Sequence, residues 1–466
     1  MSVEPIPMRE FKARKRKEPG EQPDARPPEF TDDALALRFA DRHAGDLRYV
    51  AAWGKWFHWT GTWWQAEETL LAYDMARVIC REAAAACKKE RLAVALASAK
   101  TVAAIERLAK ADRRLAATVD QWDADPWLLN TPGGVVDLRT GNIQRHRPEY
   151  YLTKITAIAP GGEWEDWHRF LDRVTGGDEE LQRFLQRMAG YSLTGDTSAH
   201  ALFFAFGTGA NGKSVFIDTI AGCLGDYHRT APVETFTASS VDRHLTELAR
   251  LRGARLVTAV ETEEGRRWAE SRIKALTGGD KIAANFMRQD HFEFVPQFKL
   301  LIAGNHKPGL RSVDEAIRRR FHLLPFAVTI SPEERDLKLK DKLKEEWPGI
   351  LAWALRGCLD WQSQGLTPPP AVKDATAAYL EAEDATAAWL EECCERDAQS
   401  WETSTALFIS WKTWAERAGE FAGSTKRFVQ TLESRGFQPK KTRTGRGFDG
   451  LKLIAVNHYS PLWNNP

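Results

Sequence analysis

The sequence predicts an α/β protein with a parallel-sheet core, a smaller α+β domain ahead of it and a basic helix-and-strand domain behind it. Three observations carry this expectation. Residues 207–216 read GTGANGKSVF, between the apolar run HALFFAF and the helical pattern SVFIDTIAGCLG. Two later apolar runs, ARLVTAV and FKLLIAG, stop at the polar residues Glu261 and Asn305. A tryptophan-rich alternating stretch lies upstream, and an excess of lysine and arginine marks the end of the chain.

With 466 residues, 43% hydrophobic and 28% charged, the chain can bury a large core and divides into several domains. The net charge of +1 means that attraction to a polyanion must come from local patches. Six dispersed cysteines without a CxxC pair argue against a zinc ribbon or a disulfide framework and fit a reducing, cytoplasmic setting, that of a bacterial host. No apolar run approaches the ~20 residues that cross a bilayer, so no membrane partner is expected.

Residues 1–29, charged and proline-rich, read as a flexible basic arm, solvated rather than bound to DNA. Residues 30–160 read as the α+β domain. In YVAAWGKWFHWTGTWWQ, Thr60-Gly61 marks a β-hairpin turn. Trp53, Trp56, Trp59, Trp63 and Trp64 around it are expected to pack the domain core rather than stack on bases. An alanine-rich helical stretch follows at 71–115. Asp123 and Asp125 form a DxD, but no apolar strand leads into it and Pro126 follows at once, which favours a structural role over a metal site. Turn signals at 131–134 and 140–142 bracket a short strand, and residues 161–198 read as a helical connector broken at Gly176-Gly177.

Residues 199–330 form the core. Gly207, Gly212, Lys213 and Ser214 match GxxxxGK[ST] in full, in the strand-loop-helix context that the chemistry requires. Across Gly207, Thr208, Gly209, Ala210, Asn211, Gly212, Lys213, Ser214 and Val215, backbone N–H groups can curl around a polyphosphate. Lys213 would neutralise the β and γ phosphates and Ser214 would ligate Mg²⁺, so ATP and Mg²⁺ are the expected cofactors. Glu261 and Glu263 stand two apart on an extended strand and share a face. One would hold the metal, Glu261 being the ligand candidate beside Ser214, and the other would polarise the attacking water; which is the general base stays open. Asn305, at the carboxyl end of its strand, is placed to sense a γ-phosphate or orient the water. Arg318, Arg319 and Arg320 precede the next apolar strand, where an arginine could serve the site of a neighbouring subunit.

At these residues the chain resembles the superfamily 3 helicases, above all the C-terminal helicase part of phage, plasmid and poxvirus primase-helicases. FGTGANGKS, ETEEGRRWAESRIKALTGGDKI, FEFVPQFKLLIAGNHKP and DEAIRRRFHLLPF occur in family order and spacing, and LLNTPGGVVDLRTG is similar to the domain before the motor. The resemblance implies an AAA+-like P-loop ATPase core that binds nucleotide and Mg²⁺ through Lys213 and Ser214. It implies an acidic site at Glu261 and Glu263, a sensor at Asn305, and a finger at Arg320 or Arg319, the residue before the phenylalanine being first choice. Ring hexamers around single-stranded DNA, ATP sites between subunits and 3′ to 5′ movement are also implied. Lys274 and Asp280 match the family, and Arg288 falls near the tip of a hairpin that would enter the ring channel, where a cation can track phosphates. Asn285 departs from the family, which often has arginine there, and Thr262 separates carboxylates that many phosphate-loop motors have adjacent.

Residues 331–385 read as a helical segment and 386–466 as a winged helix. Residues 401–466 carry ten Lys and Arg against five Asp and Glu, a net +5. Lys426 and Arg427 start the expected recognition helix, and Lys440, Lys441, Arg443 and Arg446 lie on the wing, where backbone phosphates would be met. No primase metal site is evident and residues 1–29 are too short for a primase domain, so either a separate primase or polymerase assists or another route to priming is used. The expected function is an ATP-dependent DNA helicase that acts on single-stranded and forked DNA in replication of a phage, plasmid or integrated element. The rival is an ATP-regulated DNA-binding initiator with little unwinding.

Overall fold

The computed structural model describes residues 27–238, 245–261, 266–285, 291–310, 313–420, 422–443 and 445–454, and the side chains of these except 245, 261, 398 and 434. Its contacts divide it into two units that part between Trp122 and Asp123. Most of the expected basic arm lies outside the described residues.

In the first unit, α1 (Asp32–His43) starts where the Thr31 hydroxyl accepts the Ala34 amide at 3.2 Å, with Asp32 and Asp33 in the first turn favoured by the helix dipole. Strands β1 (Leu47–Val50), β2 (Lys55–Trp59) and β3 (Trp64–Ala66) form an antiparallel sheet in that order. The β2–β3 turn falls at Thr60-Gly61, closed by the Thr60 hydroxyl, which accepts the amides of Thr62 (3.3 Å) and Trp63 (3.1 Å). Helices α2 (Leu71–Ala86), α3 (Glu90–Leu96) and α4 (Ala99–Ala109) pack Ile79, Val102 and Ile105 against Phe39 and Trp56. Trp56 and Trp64 are buried, and the Trp56 indole donates to Glu106 at 2.7 Å. Trp53 and Trp59 lean on Phe57 and Trp64, at 5.6 and 5.7 Å between rings.

The second unit opens with an antiparallel meander, β4 (Leu128–Thr131), β5 (Gly134–Asp137) and β6 (Asn142–Gln144), whose turns fall on both expected stretches. Here the expected boundary near residue 160 is displaced. Leu129, Val136 and Leu138 are buried in one core with Trp167, Phe203 and Phe216, so the meander belongs to the second unit. Asp123 accepts the Thr153 amide at 2.8 Å and Asp125 pairs with Arg139 at 3.0 Å, both structural tasks. Helices α5 (Glu165–Thr175) and α6 (Glu179–Leu193) flank the expected glycine break, yet they are a wall of the core rather than a connector: Trp167, Phe170, Val174 and Phe184 are all buried.

The chain continues through β7 (Leu202–Phe206), α7 (Lys213–Leu224), β8 (His228–Thr230), α8 (Leu245–Arg250), β9 (Leu256–Glu261) and α9 (Glu270–Gly278). An antiparallel hairpin of β10 (Ile282–Asn285) and β11 (His291–Phe294) follows, then β12 (Lys299–Gly304), α10 (Glu315–Arg318) and β13 (Phe321–Pro325). Five of these strands make a parallel sheet in the order β13-β7-β12-β9-β8. Side chains alternate along a strand, so Phe203 and Ala205 enter one core and Leu202 and Phe204 the other. Both faces are covered, which is why the strands read as continuous apolar runs. Helices α5 to α7, α11 (Leu339–Glu345) and α12 (Trp347–Gln364) cover the Phe203 face; α8, α9 and Tyr379 of α13 (Pro370–Ala382) pack on the other.

The last residues form a module of their own within this unit. Helix α14 (Ala385–Cys393), β14 (Cys394–Thr403), α15 (Ser404–Arg417), α16 (Thr425–Ser434), β15 (Pro439–Thr442) and β16 (Gly445–Leu453) build a three-stranded sheet in the order β14-β16-β15. Trp389, Leu407, Trp411, Phe428, Leu432 and Phe448 fill the space between sheet and helices. Among the described residues no helix is long and apolar enough to cross a membrane.

Candidate functional site

The strand order locates the site before any side chain is considered. From β7 the chain runs out to β8, returns through β9 and β12, and then crosses to β13 on the other side of β7. Such a reversal opens a crevice at the carboxyl ends of the strands, where open α/β sheets bind ligands. The glycine-rich loop leaves β7 there.

Two glycines of this loop are required by geometry. A Cβ on Gly207 would stand 2.2 Å from the Asn211 amide nitrogen and 2.3 Å from the Phe326 carbonyl oxygen. Gly212 has φ +84°, and a Cβ there would meet Val174 of α5 at 2.4 Å. Asn211, itself buried, donates to the Phe326 carbonyl at 3.1 Å, while the Ala210 carbonyl accepts the Ile330 amide at 2.8 Å. The loop is therefore clamped between α5 on one side and the chain leaving β13 on the other. Thr208 and Ala210 are exposed, and Gly209 is half-buried. Ser214 is exposed in the first turn of α7, followed by half-buried Val215. The first-turn amides of a helix have no acceptor within it.

Lys213 is the centre of the arrangement. Its ammonium is buried and donates to three neutral oxygens: the Gly207 carbonyl at 2.5 Å, Asn211 Oδ1 at 3.3 Å and Asn305 Oδ1 at 3.2 Å. Among the described residues it has no carboxylate partner. Burial alone lowers its pKa from the ordinary lysine value. A buried cation set among dipoles gains from an anion brought alongside it. In β-sheet register, Gly304 of β12 stands beside Phe206 of β7 and Glu261 of β9, so Gly207 and Asn305 leave their strands one residue beyond the level of Glu261. The side chain of Glu261, together with Glu263 and Arg288, lies outside the described residues.

The arginine triplet is split three ways. Arg320, the first choice for a finger, is buried and anchored at home: Nε donates to the Thr277 hydroxyl at 3.1 Å and Nη1 to the Ala316 carbonyl at 2.7 Å. Burial, and after it the charge of Arg319, lowers its pKa. Arg318 pairs with Asp384 at 3.5 Å. Arg319 is exposed, with no side-chain hydrogen bond or ion pair among the described residues, and it is the arginine free to reach out. Lys274 also has a home partner, Asp314, at 2.5 Å, where Asp314 caps α10 by accepting the Ile317 amide.

In the C-terminal module Lys426, Arg427, Lys440, Lys441, Arg443 and Arg446 are all exposed. Lys440 pairs with Asp449 at 2.9 Å, whereas Lys441 and Arg446 stand directly opposite each other in the β15–β16 register and share a face. Sequence reasoning missed the clamp on the glycine loop by Phe326, Ile330 and Val174. Backbone donors and acceptors carry no residue signature, although the apolar face of α5 hinted at its packing.

Residues 36–176 match a family described as D5 N terminal like, and residues 205–320 match a family of unknown function, DUF5906. "Putative helicase 022R" of Frog virus 3 (isolate Goorha) is 27% identical over 260 residues, 51% of this chain and 26% of that protein. "Putative helicase L207/L206" of Acanthamoeba polyphaga mimivirus is 24% identical over 282 residues, 55% of this chain and 29% of that protein. The chain thus spans under a third of the length of these curated relatives. Among solved structures, two apo structures of the NrS-1 C-terminal region share the fold. One has a TM-score of 0.52 at 10% identity over 90% of this chain and 99% of that one; the other has 0.50 at 10% identity over 91% and 100%. Sheet and matches together define a helicase-like α/β protein. Within that class the matches support a likeness to the phage-type superfamily 3 primase-helicases.

Proposed function

We propose that the chain is an ATP-dependent DNA helicase motor acting in replication of a phage, plasmid or integrated element. The observation that carries this reading is the buried Lys213 ammonium, which joins the glycine loop to Asn305 without a carboxylate among the described residues. A site so built fits a polyphosphate. Lys213 would hold the β and γ phosphates against the α7 amino end, Ser214 and Glu261 would hold Mg²⁺, and Asn305 would orient the attacking water. Bound Mg²⁺ would supply charge neutralisation for phosphoryl transfer. Either Glu261 or Glu263 would take the proton of that water, and Arg319 would reach the site of the next subunit in a ring, a hexamer by family likeness. The strand order also suits a P-loop AAA+-like core, and the C-terminal module suits a winged helix whose β15–β16 hairpin meets duplex phosphates. Arg288 would face the ring channel, with movement 3′ to 5′.

The test is displacement of a labelled strand from 3′-tailed and 5′-tailed forks with ATP, comparing the native chain with Lys213→Ala. Displacement of the 3′-tailed fork that vanishes in the variant is expected. DNA-stimulated ATP turnover without displacement on either fork would favour the ATP-regulated initiator, to which the exposed basic hairpin also lends itself.

A further inference from the structure

Asp384 is a buried carboxylate, 5% exposed, at the amino end of α14, where Oδ1 accepts the Ala387 amide at 3.1 Å. Two guanidinium groups from different parts of the unit converge on it. Arg318, the last residue of α10 and the immediate neighbour of Arg319, reaches Oδ2 at 3.5 Å. Arg435, the C-cap of α16, holds Oδ1 in closer contact. A cavity of about 260 Å³ lies alongside, lined from α16 by Arg427, Thr431 and Arg435. Residues four apart fall on one helix face, so the face that ends at Asp384 begins at the exposed Arg427. At 1.5 Å per residue the two ends are roughly 12 Å apart on one rigid element.

Burying a carboxylate is costly unless cations compensate it, and here two cations share one carboxylate unequally. The closer one belongs to the basic module and the looser one to the arginine segment. If α16 is drawn towards phosphates by Lys426 and Arg427, Arg435 moves with it, and Asp384 becomes available for full pairing with Arg318. That pairing would fix the segment from which Arg319 projects. A second ion pair, Arg267 with Glu420 at 3.6 Å, crosses the same junction and keeps the module seated while α16 shifts.

We propose that Asp384 is a positioning residue that couples DNA engagement by the C-terminal basic module to the placement of Arg319. The inference rests on the nucleotide reading of the site above. Arg435 acts as the restraint that DNA releases, and Arg318 as the partner that gains.

The experiment measures ATP turnover with and without forked DNA for the native chain, Arg435→Gln, Arg435→Lys and Asp384→Asn, the last retaining a capping side chain. Arg435→Gln is expected to raise DNA-free turnover so that stimulation by DNA falls by about fivefold or more, the usual scale of coupling between sites. Arg435→Lys should restore the stimulation. Asp384→Asn should lower the DNA-stimulated kcat by a similar factor with the KM for ATP within about twofold. Native stimulation in both Arg435→Gln and Asp384→Asn would overturn the coupling. If the native chain turns over no ATP, the nucleotide reading fails, and the coupling is read instead from hydrogen exchange of residues 315–323. Forked DNA should then raise their protection in the native chain and not in Arg435→Gln; equal protection in both would overturn it.

Discussion

The ammonium of Lys213, at the amino end of α7, lies 3.2 Å from the side-chain oxygen of Asn305, just past the carboxyl end of β12. A single hydrogen bond thus joins the loop after the first core strand to the loop after the fourth. Among the described residues the ammonium meets no carboxylate, because this acceptor is an amide.

Replacing that amide by a carboxylate separates apo stability from nucleotide binding. Asn305→Asp sets an anion against the buried ammonium, so the nucleotide-free protein should melt higher. The same charge opposes the γ-phosphate, and ATP affinity should fall by about tenfold or more, ~1.4 kcal/mol. Differential scanning fluorimetry and nucleotide titration read the two effects. Unchanged ATP affinity would remove Asn305 from the phosphate site.

Arg319 and Arg320 should fail in different ways. Arg319→Ala removes an exposed side chain and should leave stability within about 0.5 kcal/mol, while ATP turnover drops by about 10³, the scale of a finger supplied in trans. Mixing it with Lys213→Ala subunits should restore part of the turnover. Arg320→Ala loses the bonds to Thr277 and Ala316 and should destabilise by about 1–3 kcal/mol in denaturant titrations. Rescue by mixing for Arg320→Ala and not for Arg319→Ala would reverse the assignment.

Two histidines predict acid sensitivity. His322 of β13, against Phe184 and Phe203, and His228 of β8, bonded to the Thr258 hydroxyl at 2.8 Å, are both held down to about 4, by burial first. An unfolded histidine titrates near ~6.5, so between roughly pH 6.5 and 4 the unfolded chain takes up protons that the folded one refuses. Stability present above ~6.5 should therefore drain away through that window, by on the order of 1–2 kcal/mol per histidine. His322→Phe should flatten the pH dependence of Tm there, and an unchanged profile would count against the buried neutral imidazole.

The Lys441 and Arg446 pair makes a salt prediction. Each phosphate contact contributes about 0.9 to the slope of log affinity against log salt on duplex DNA. The Lys441→Ala, Arg446→Ala double variant should lower that slope by about 2, evenly across DNA sequences, in anisotropy titrations. A slope equal to that of the native chain would take this face off the DNA.

Much of the core is legible in the sequence because parallel strands buried on both faces read as apolar runs with polar stops. Thus β7, β9 and β12 form at the three apolar runs, and Gly207, Glu261 and Asn305 fall at or just past their ends. The boundary near 160 misleads because β4 to β6 are short, and their burial comes from helices and strands distant in sequence. The three consecutive arginines look alike in one dimension. Only the end of α10 and its entry into β13 turn Arg320 inward, give Arg318 to Asp384 and leave Arg319 outside. No periodicity could point to Asp384, whose partners lie 66 and 51 residues away.

The packing of Val174 and Phe170 against Gly212 decides how small the working piece of this chain can be. A fragment starting at residue 199 keeps every residue of the glycine loop but removes the helix that supports its turn, along with Trp167, which stacks on Phe216 of α7 at 5.6 Å. Such a fragment would expose the buried side of α7 to water and lose the shape of the phosphate cradle. One starting at Asp123 keeps loop, helix and meander together, and truncation should respect that edge rather than the core start expected at residue 199.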